Sequence, residues 1–336
     1  MTSIRITIGY ICTFLISCIS YAAESPFEIS FPAKSELTQE DYIEIQNQLR
    51  QLDTHSPVEA LYSPIQFSGF TDFKDFLGRC SRGARQVLID PEKGFYPVKE
   101  LVKIGKGGDR CVVCCGPFSG KYPYYINSLI QALQDTGFNG HFLYLIGGWP
   151  NPTGEEIKYV AVPYSFKIFT MLEAYMLGFN HVLWLDAACL PMREISSLFN
   201  VIENNGALLN FSSPAKDSWR FIFPQTKDLL KQKTGTNVLK AQYINTIVFG
   251  LKMNTPETRK LVRIYYELAQ LGTPFLSCYP EEWVLTAIIG KPEFAHWKKK
   301  KPHNLLYGVH SGEKDSTEHM EKARRKKTYF YHRQGR

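Results

Sequence analysis

The sequence predicts an α/β protein in which short strands and helices alternate around a mainly parallel central sheet. From Cys111 onward, short apolar runs alternate with segments whose apolar residues recur at helical spacing, and glycine or proline separates them. This alternation is typical of strand–helix–strand units, whose helices cover a parallel sheet. The hydrophobic content of 44% and the charged content of 21% are ordinary for a folded protein and exclude a largely disordered chain.

The first half of this region alternates between the two patterns in a simple order. Glycine follows each helical pattern, at Gly137 and at Gly178, where glycine commonly ends a helix. The predicted elements are a strand over Cys111–Cys115, a helix over Tyr122–Leu133, strands over His141–Ile146 and Ile157–Val162, and a helix over Ile168–Tyr175.

The second half continues the alternation. Thr255-Pro256-Glu257 combines a preferred helix cap, a first-turn proline and an acid at the positive end of the helix dipole. The predicted elements are strands over His181–Leu185, Ala207–Phe211 and Tyr243–Phe249, a helix from Thr255 to Gly272, and a helix over Pro280–Ile289.

The N-terminus reads as a targeting segment. Arg5 precedes an apolar stretch over Ile6–Ile19, and Ser20-Tyr21-Ala22 is a small-x-small cleavage pattern. We expect residues 1–22 to be a signal peptide, and hence an exported or luminal protein. An uncleaved membrane anchor and lipidation at Cys18 remain alternatives.

Three further segments follow the leader. Residues 23–108 are predicted to form a partly helical N-terminal extension, because Thr38-Gln39-Glu40-Asp41 has the pattern of a helix start and residues 56–108 are irregular. Residues 109–295 hold the alternating strands and helices. Residues 296–336 form a basic, histidine-rich C-terminal segment.

The positive charge belongs to this last segment. It contains twelve Lys and Arg against four Asp and Glu, a charge of +8. Because the whole chain carries +7, the rest of the chain is close to neutral. We therefore expect no nucleic acid partner. The basic runs Lys298–Lys301 and Arg324–Lys327 are open to three interpretations: a solvated surface, a clamp on diphosphate oxygens, or contact with an anionic membrane.

Three cysteines share one apolar run, at Cys111, Cys114 and Cys115. A zinc or redox site would place such a group near a second pair of soft ligands, and none stands at recognisable spacing. We interpret the three as small apolar residues of a buried strand.

Asp186 is the foremost candidate for chemistry. It follows the strand over His181–Leu185, and open α/β sheets bind ligands at the carboxyl ends of their strands. A carboxylate at this place can hold a divalent cation or a ribose hydroxyl, although capping the next turn is an alternative role.

The segment from Lys167 to Phe199 resembles the core of glycosyltransferases of the GT-A fold. It has a lysine at the start of a helix, a helix ending at Gly178-Phe179, and the strand Val182-Leu183-Trp184-Leu185 before Asp186. The resemblance extends in order of elements over Cys111 to Gly290. It implies a GT-A-like layered domain in which Lys167 contacts the donor's phosphates or sugar, Asp186 faces the nucleotide and its metal, and Gly116 lies beside the nucleoside.

One position departs from the family pattern. The usual motif is Asp-x-Asp, and Ala188 stands in place of the second acid. The form Asp186-Ala187-Ala188 is similar to a subgroup that has Asp-Ala-Ser. Two carboxylates hold a hard cation better than one, so another ligand, weak metal binding, a metal-independent enzyme and an inactive domain all remain open.

The resemblance also suggests the remaining site residues. Enzymes of this fold often take a C-terminal histidine as a metal ligand, for which His310 is our first choice and His332 our second. Glu281 and Glu282 open the last helix, where the family often places an acid near the acceptor hydroxyl; the alternative is stabilisation of the helix N-terminus. Asn245 is a candidate for hydrogen bonding to a sugar hydroxyl.

Taken together, the resemblance implies transfer of a hexose from a nucleoside diphosphate sugar to a glycan or other hydroxyl acceptor. Mn²⁺ or Mg²⁺ is the expected cofactor, with metal independence as an alternative. The rival hypothesis is a secreted carbohydrate-binding or effector protein on a catalytically decayed transferase scaffold.

Overall fold

The structure is a computed structural model that describes residues 27, 29–51, 86–118, 120–212, 222–277, 279–299, 304–308 and 317–333. The predicted leader over residues 1–22, with Cys18, lies outside these residues, as does His310. None of the helices in the described part of the chain is long and apolar enough to cross a membrane.

Among the described residues, the central sheet has six strands in the order β1-β3-β2-β4-β7-β6. Strands β3, β2, β4 and β6 run in one direction, and β1 and β7 run in the opposite one. The predicted mainly parallel sheet is therefore confirmed. The bounds are β1 (Val98–Ile104), β2 (Arg110–Gly116), β3 (Gly140–Ile146), β4 (His181–Leu185), β5 (Cys189–Pro191), β6 (Ala207–Ser212) and β7 (Tyr243–Lys252).

A second, smaller sheet joins the C-terminal segment to the main domain. Strands β8 (Leu306–Gly308) and β9 (Phe330–His332) extend β5 in the order β5-β9-β8. Strand β5 begins three residues after Asp186, so its partner strand β9 lies beside the predicted site.

Helices cover both faces of the central sheet. The helix over Pro256–Leu271 begins as predicted, because the Thr255 side chain accepts a hydrogen bond from Thr258 N. The bounds are α1 (Gln39–Gln51), α2 (Tyr122–Asp135), α3 (Phe166–Met176), α4 (Ser196–Asn205), α5 (Pro224–Thr234), α6 (Pro256–Leu271), α7 (Pro280–Ile289) and α8 (Thr317–Arg325).

The core lies in two layers, one on each face of the sheet. Strand β2 shows the division, because Val113 packs into one layer and Val112 into the other. Strands buried on both faces are typical of sheets with helices on each side. Helix α1 adds Ile45 and Leu49 to one layer, which confirms a partly helical N-terminal extension.

The cysteines of β2 follow the same alternation. Within the described residues, Cys111, Cys114 and Cys115 are buried free thiols. Cys111 and Cys115 pack into one layer and Cys114 into the other, so the three do not converge. Burial raises the pKa of Cys111 and of Cys115 to about 12, which keeps both thiols protonated.

Two predictions of secondary structure were wrong. Ile157–Val162 is not a strand: Glu156–Tyr159 form a 3₁₀ helix followed by turns, in which buried Glu156 accepts hydrogen bonds from the amide and hydroxyl of Thr153. Short apolar runs do not distinguish strand from other buried structure. Val98–Ile104 lies in the region predicted to be irregular, yet it forms β1. This edge strand is mostly exposed and therefore lacks an apolar alternation.

Candidate active site at the end of strand β4

Strand β4 carries Asp186 to the carboxyl-terminal edge of the sheet. Its residues Val182–Leu185 are all buried. The main chain of Asp186 is fixed on both sides: its N–H donates to Ile247 O at 3.0 Å, and its carbonyl accepts from Cys189 N at 2.8 Å. The aspartate is thus part of the rigid sheet edge rather than of a free loop.

The two carboxylate oxygens of Asp186 have different surroundings. Oδ1 accepts hydrogen bonds from Lys167 Nζ and from Trp184 Nε1, each at 2.8 Å. Oδ2 accepts no hydrogen bond from any other described residue, and the side chain is 29% exposed. The protein therefore orients the carboxylate through one oxygen and leaves the other open to a ligand.

Lys167 reaches this carboxylate from the first turn of α3, where it is only 3% exposed. Its Nζ also lies 2.8 Å from Glu281 Oε1 and 3.2 Å from both Thr246 O and Thr246 Oγ1. Burial disfavours the charged form, but the Asp186 and Glu281 carboxylates outweigh it and raise the pKa of Lys167. An ammonium group has three protons to donate. The oxygens of Asp186, Glu281 and Thr246 therefore already accept all the hydrogen bonds that Lys167 can donate.

Glu281 and Glu282, at the start of α7, stand on the far side of this lysine. Thr246 Oγ1 donates to Glu281 Oε1 at 2.7 Å, and Thr246 N donates to Glu282 Oε1 at 3.1 Å. The Tyr243 hydroxyl donates to Glu282 Oε2. Burial, reinforced by the negative charge of Glu281, raises the pKa of Glu282 to about 8. Glu282 is therefore mainly protonated at neutral pH.

An irregularity in β7 gives Thr246 its role. The register between β6 and β7 shifts at Leu209/Asn210, so that Asn210 pairs with Asn245 while Leu209 pairs with Phe249. The residues between bulge out of the ladder, and both the carbonyl and the hydroxyl of Thr246 face Lys167. Bulges often re-aim side chains next to functional sites.

Asn245 does not join the group around Lys167. Its Oδ1 accepts from Asn210 Nδ2 and from Ile247 N, each at 3.2 Å. Its candidacy for a sugar hydroxyl stays a prediction, with the side chain held in the bulge.

Gly116 ends β2 on the same edge of the sheet. A Cβ atom at this position would lie 2.9–3.1 Å from atoms of the Tyr122 side chain. The missing side chain therefore lets Tyr122, the first residue of α2, close over the strand end.

His332 and Arg333 bring the C-terminal segment to the residues that follow Asp186. His332 pairs with Cys189 across β5 and β9, and Arg333 N donates to Ala188 O at 2.9 Å. Burial lowers the pKa of His332, against the opposing effect of the Asp186 charge. The Arg333 guanidinium lies 4.2 Å from the centre of the Tyr125 ring, and its Nη2 donates to Ser128 Oγ at 2.9 Å.

A divalent cation fits these residues only together with a substrate. In the described part of the chain, no group of three or more His, Cys, Asp and Glu side chains could hold a metal. Asp186 and His332 are the predicted ligands in this part of the chain, and Mg²⁺-type sites often combine one or two protein ligands with phosphate oxygens. A cation that arrives with a diphosphate fits this set, whereas a closed all-protein site does not.

Sequence reasoning assigned no role to three residues of this group: Trp184, Thr246 and Tyr243. Trp184 could have been predicted, because residues two apart in a strand share a face and its indole N–H therefore meets Asp186. Thr246 carries no such signal, since the bulge that turns it toward Lys167 depends on pairing with β6.

The structure of this chain is similar to solved structures of glycosyltransferases. These include the galactosyltransferase LgtC in complex with donor and acceptor sugar analogs, at 13% identity and a TM-score of 0.37, over 67% of this chain and 87% of that one. A glycosyltransferase involved in glycosylation of the major capsid of PBCV-1 matches at 16% identity with a TM-score of 0.35, over 68% of this chain and 93% of that one. Mouse xyloside xylosyltransferase 1 matches at 13% identity with a TM-score of 0.31, over 63% of this chain and 73% of that one. No protein-family model and no curated protein matches the sequence.

Proposed function

We propose that this protein is a glycosyltransferase that moves a hexose from a nucleoside diphosphate sugar to a hydroxyl acceptor, with Asp186 at the nucleotide site. The observation that carries the proposal is the divided environment of the Asp186 carboxylate. One oxygen is held by Lys167 and Trp184, and the other opens at the strand end, where ligands of α/β sheets bind. The resemblance of the segment from Lys167 to Phe199 to GT-A enzymes agrees with this assignment.

The charge of the group suits this reaction. With Glu282 protonated, the positive charge of Lys167 stands against the negative charges of Asp186 and Glu281, so these three side chains together carry one net negative charge. A site with this balance attracts a cation. When bound, a divalent cation would neutralise the negative charge that grows on the leaving diphosphate. Asp186 Oδ2 and His332 are the residues that would hold it.

Glu281 and Glu282, at the start of α7, are the candidate acids on the acceptor side of the site. Glu281 is the candidate to lie near the acceptor hydroxyl and accept its proton, because Glu282 already holds one at neutral pH. Thr246 and Lys167 both contact Oε1 of Glu281, so the carboxylate is held through this oxygen. The two adjacent acids therefore take different roles through their surroundings.

The C-terminal segment supports an active enzyme despite the missing second acid. Ala188 stands where the family has an aspartate, and β9 lies along this position through the bond from Arg333 N to Ala188 O. His332 and Arg333 thereby supply an imidazole and a cation beside the residues that follow Asp186. We propose that they compensate for the absent carboxylate.

Asp186→Asn tests the proposal. The amide oxygen can still accept from Lys167 and Trp184, so the fold is kept, while the open carboxylate oxygen is lost. We expect turnover to fall by about 10² or more, measured as hydrolysis or transfer with a panel of nucleotide sugars, with and without Mn²⁺. Asp228→Asn, on an exposed side chain of α5, is the matched control and should keep full activity.

Two outcomes contradict the proposal. Undiminished turnover in Asp186→Asn would remove Asp186 from the chemistry. Binding of glycans by the wild-type protein without hydrolysis or transfer of any donor would favour a carbohydrate-binding protein on a decayed scaffold instead.

We further propose that the protein acts in the secretory lumen or after export, because residues 1–22 read as a signal peptide. Nucleotide sugars occur in the cytosol and the secretory lumen, which makes a luminal enzyme, or one exported into a host cell, the consistent arrangement. The mass of the mature protein tests this: a chain that begins at Met1 would contradict cleavage.

A further inference from the structure

Tyr164 has an unusual backbone conformation at the entrance to helix α3. Its φ is +58°, one of three positive values at non-glycine residues in the described part of the chain. L-residues rarely adopt this left-handed region, and large side chains adopt it less often than asparagine or aspartate. Such strain persists where the surrounding structure fixes it, and it is enriched at ligand-binding sites.

The ring of Tyr164 is the outer member of a row of three aromatic rings. Its centroid lies 5.7 Å from that of Phe166, and the Phe166 ring lies 5.8 Å from that of Trp184. Trp184 in turn donates its indole N–H to Asp186. The half-buried ring of Tyr164 is thus connected, through Phe166, to Trp184, which orients the Asp186 carboxylate.

The hydroxyl of Tyr164 is unused by the protein within the described residues, where it makes no hydrogen bond. Burial raises its pKa, and the nearby Tyr122, Glu281 and Asp186 raise it further, against the opposing charge of Lys167. The hydroxyl therefore keeps its proton at neutral pH and can donate it in a hydrogen bond.

We propose that Tyr164 is a substrate-binding residue whose hydroxyl donates a hydrogen bond to an oxygen of the nucleotide sugar. This inference rests on the proposed function and adds to it a residue outside the Asp186 group. The left-handed turn and the packing on Phe166 fix the ring, so the hydroxyl is positioned before the substrate arrives. The accepting oxygen belongs either to the nucleoside or to the transferred sugar, and both offer hydroxyl oxygens that can accept this bond.

Tyr164→Phe tests the inference, because it keeps the ring and its packing on Phe166 and removes only the hydroxyl. The measurement is calorimetric binding of the nucleotide sugar that the wild-type protein hydrolyses fastest, and of the matching nucleoside diphosphate. We expect binding of the nucleotide sugar to weaken about five- to tenfold, as for the loss of one hydrogen bond. Equal melting temperatures of variant and wild type would show that the fold is kept.

Tyr175→Phe is the matched control. Tyr175 is also partly buried, and it lies in helix α3 about 12 Å along the axis from Lys167, at 1.5 Å per residue. Its hydroxyl should make no difference to either ligand.

The two ligands locate the accepting oxygen. Weaker binding of both by Tyr164→Phe would assign it to the nucleoside diphosphate, and weaker binding of the nucleotide sugar alone would assign it to the sugar. Unchanged binding of both overturns the inference while leaving the proposed function in place. Failure of the wild-type protein to bind any nucleotide sugar in the panel would instead overturn the proposed function, and this inference with it.

Discussion

The Lys167 ammonium lies 2.8 Å from Asp186 Oδ1, although the two residues are nineteen positions apart in the sequence. The lysine lies in the first turn of α3, and the aspartate follows the last residue of β4. The ion pair therefore joins the start of the helix to the end of the next strand. The same ammonium lies 2.8 Å from Glu281, so a single buried cation joins α3, β4 and α7. The position of the Asp186 carboxylate therefore depends on a lysine that has little capacity left for substrate.

Replacing this cation should destabilise the fold. Lys167→Met leaves the Asp186 and Glu281 carboxylates facing each other without a counter-charge. We expect the free energy of unfolding to fall by about 3 kcal/mol, near the lower end for a broken buried pair because Asp186 is partly exposed. Chemical denaturation of the purified variant measures this change.

Two variants control this prediction. Adding Glu281→Gln to Lys167→Met removes one of the stranded carboxylates and should recover part of the loss. Arg263→Met breaks an ion pair with Glu267 in which both side chains are exposed, and should cost less than about 1 kcal/mol. Equal losses in Lys167→Met and Arg263→Met would contradict a special role for the buried lysine.

The raised pKa of Glu282 predicts that the stability of the protein depends on pH. Its pKa is about 8 in the folded protein, against an ordinary value of 4.5, so the folded state binds a proton that the unfolded chain releases. This contribution to stability is complete below about pH 4.5 and is lost as the pH rises through 8, by at most about 1.4 kcal/mol per pH unit. Glu282→Gln should remove this part of the slope.

The measurement is urea denaturation between pH 6.5 and 8. The lowered pKa of His332 changes stability in the opposite direction below 6.5, so the chosen window avoids it. The difference in slope between wild type and variant gives the contribution of the Glu282 carboxyl. Identical slopes would show that the Glu282 carboxyl is ionised throughout.

Metal binding should require a nucleoside diphosphate. Asp186 and His332 give two ligands at most among the described residues, so Mn²⁺ alone should bind weakly, and a nucleoside diphosphate should tighten its binding by adding phosphate oxygens. His332→Ala should weaken Mn²⁺ binding in the ternary complex by about tenfold or more, measured by the paramagnetic resonance signal of free Mn²⁺.

His310→Ala and His296→Ala complete this experiment. His310 was our first choice of ligand from the sequence and lies outside the described residues, so a loss confined to its variant would move the role from His332 to His310. His296, which is exposed, should make no difference. Unchanged Mn²⁺ binding in both His332→Ala and His310→Ala would remove the C-terminal histidines from the metal site.

Local patterns were sufficient to place the principal elements of the site. The apolar run over Val182–Leu185 predicted a buried strand, and the helical spacing after Lys167 predicted α3, because both periods are properties of a few consecutive residues. The turns around Ile157 were misread for the same reason, since a short apolar run is buried equally well in a 3₁₀ helix. The edge strand β1 is mostly exposed, so its sequence lacks the alternation of apolar and polar residues that indicates a strand.

The sequence by itself determined that Asp186 follows a buried strand, that Lys167 begins a helix, and that an α/β layer surrounds them. Only the tertiary structure decided that one oxygen of Asp186 is held and the other is open, that Thr246 rather than Asn245 faces Lys167, and that His332 lies beside Cys189. These relationships join residues as far as 79 positions apart, as Lys167 and Thr246 are, and further for the C-terminal strand. They arise from strand pairing, a bulge and the packing of both core layers, and no local period of the sequence encodes them.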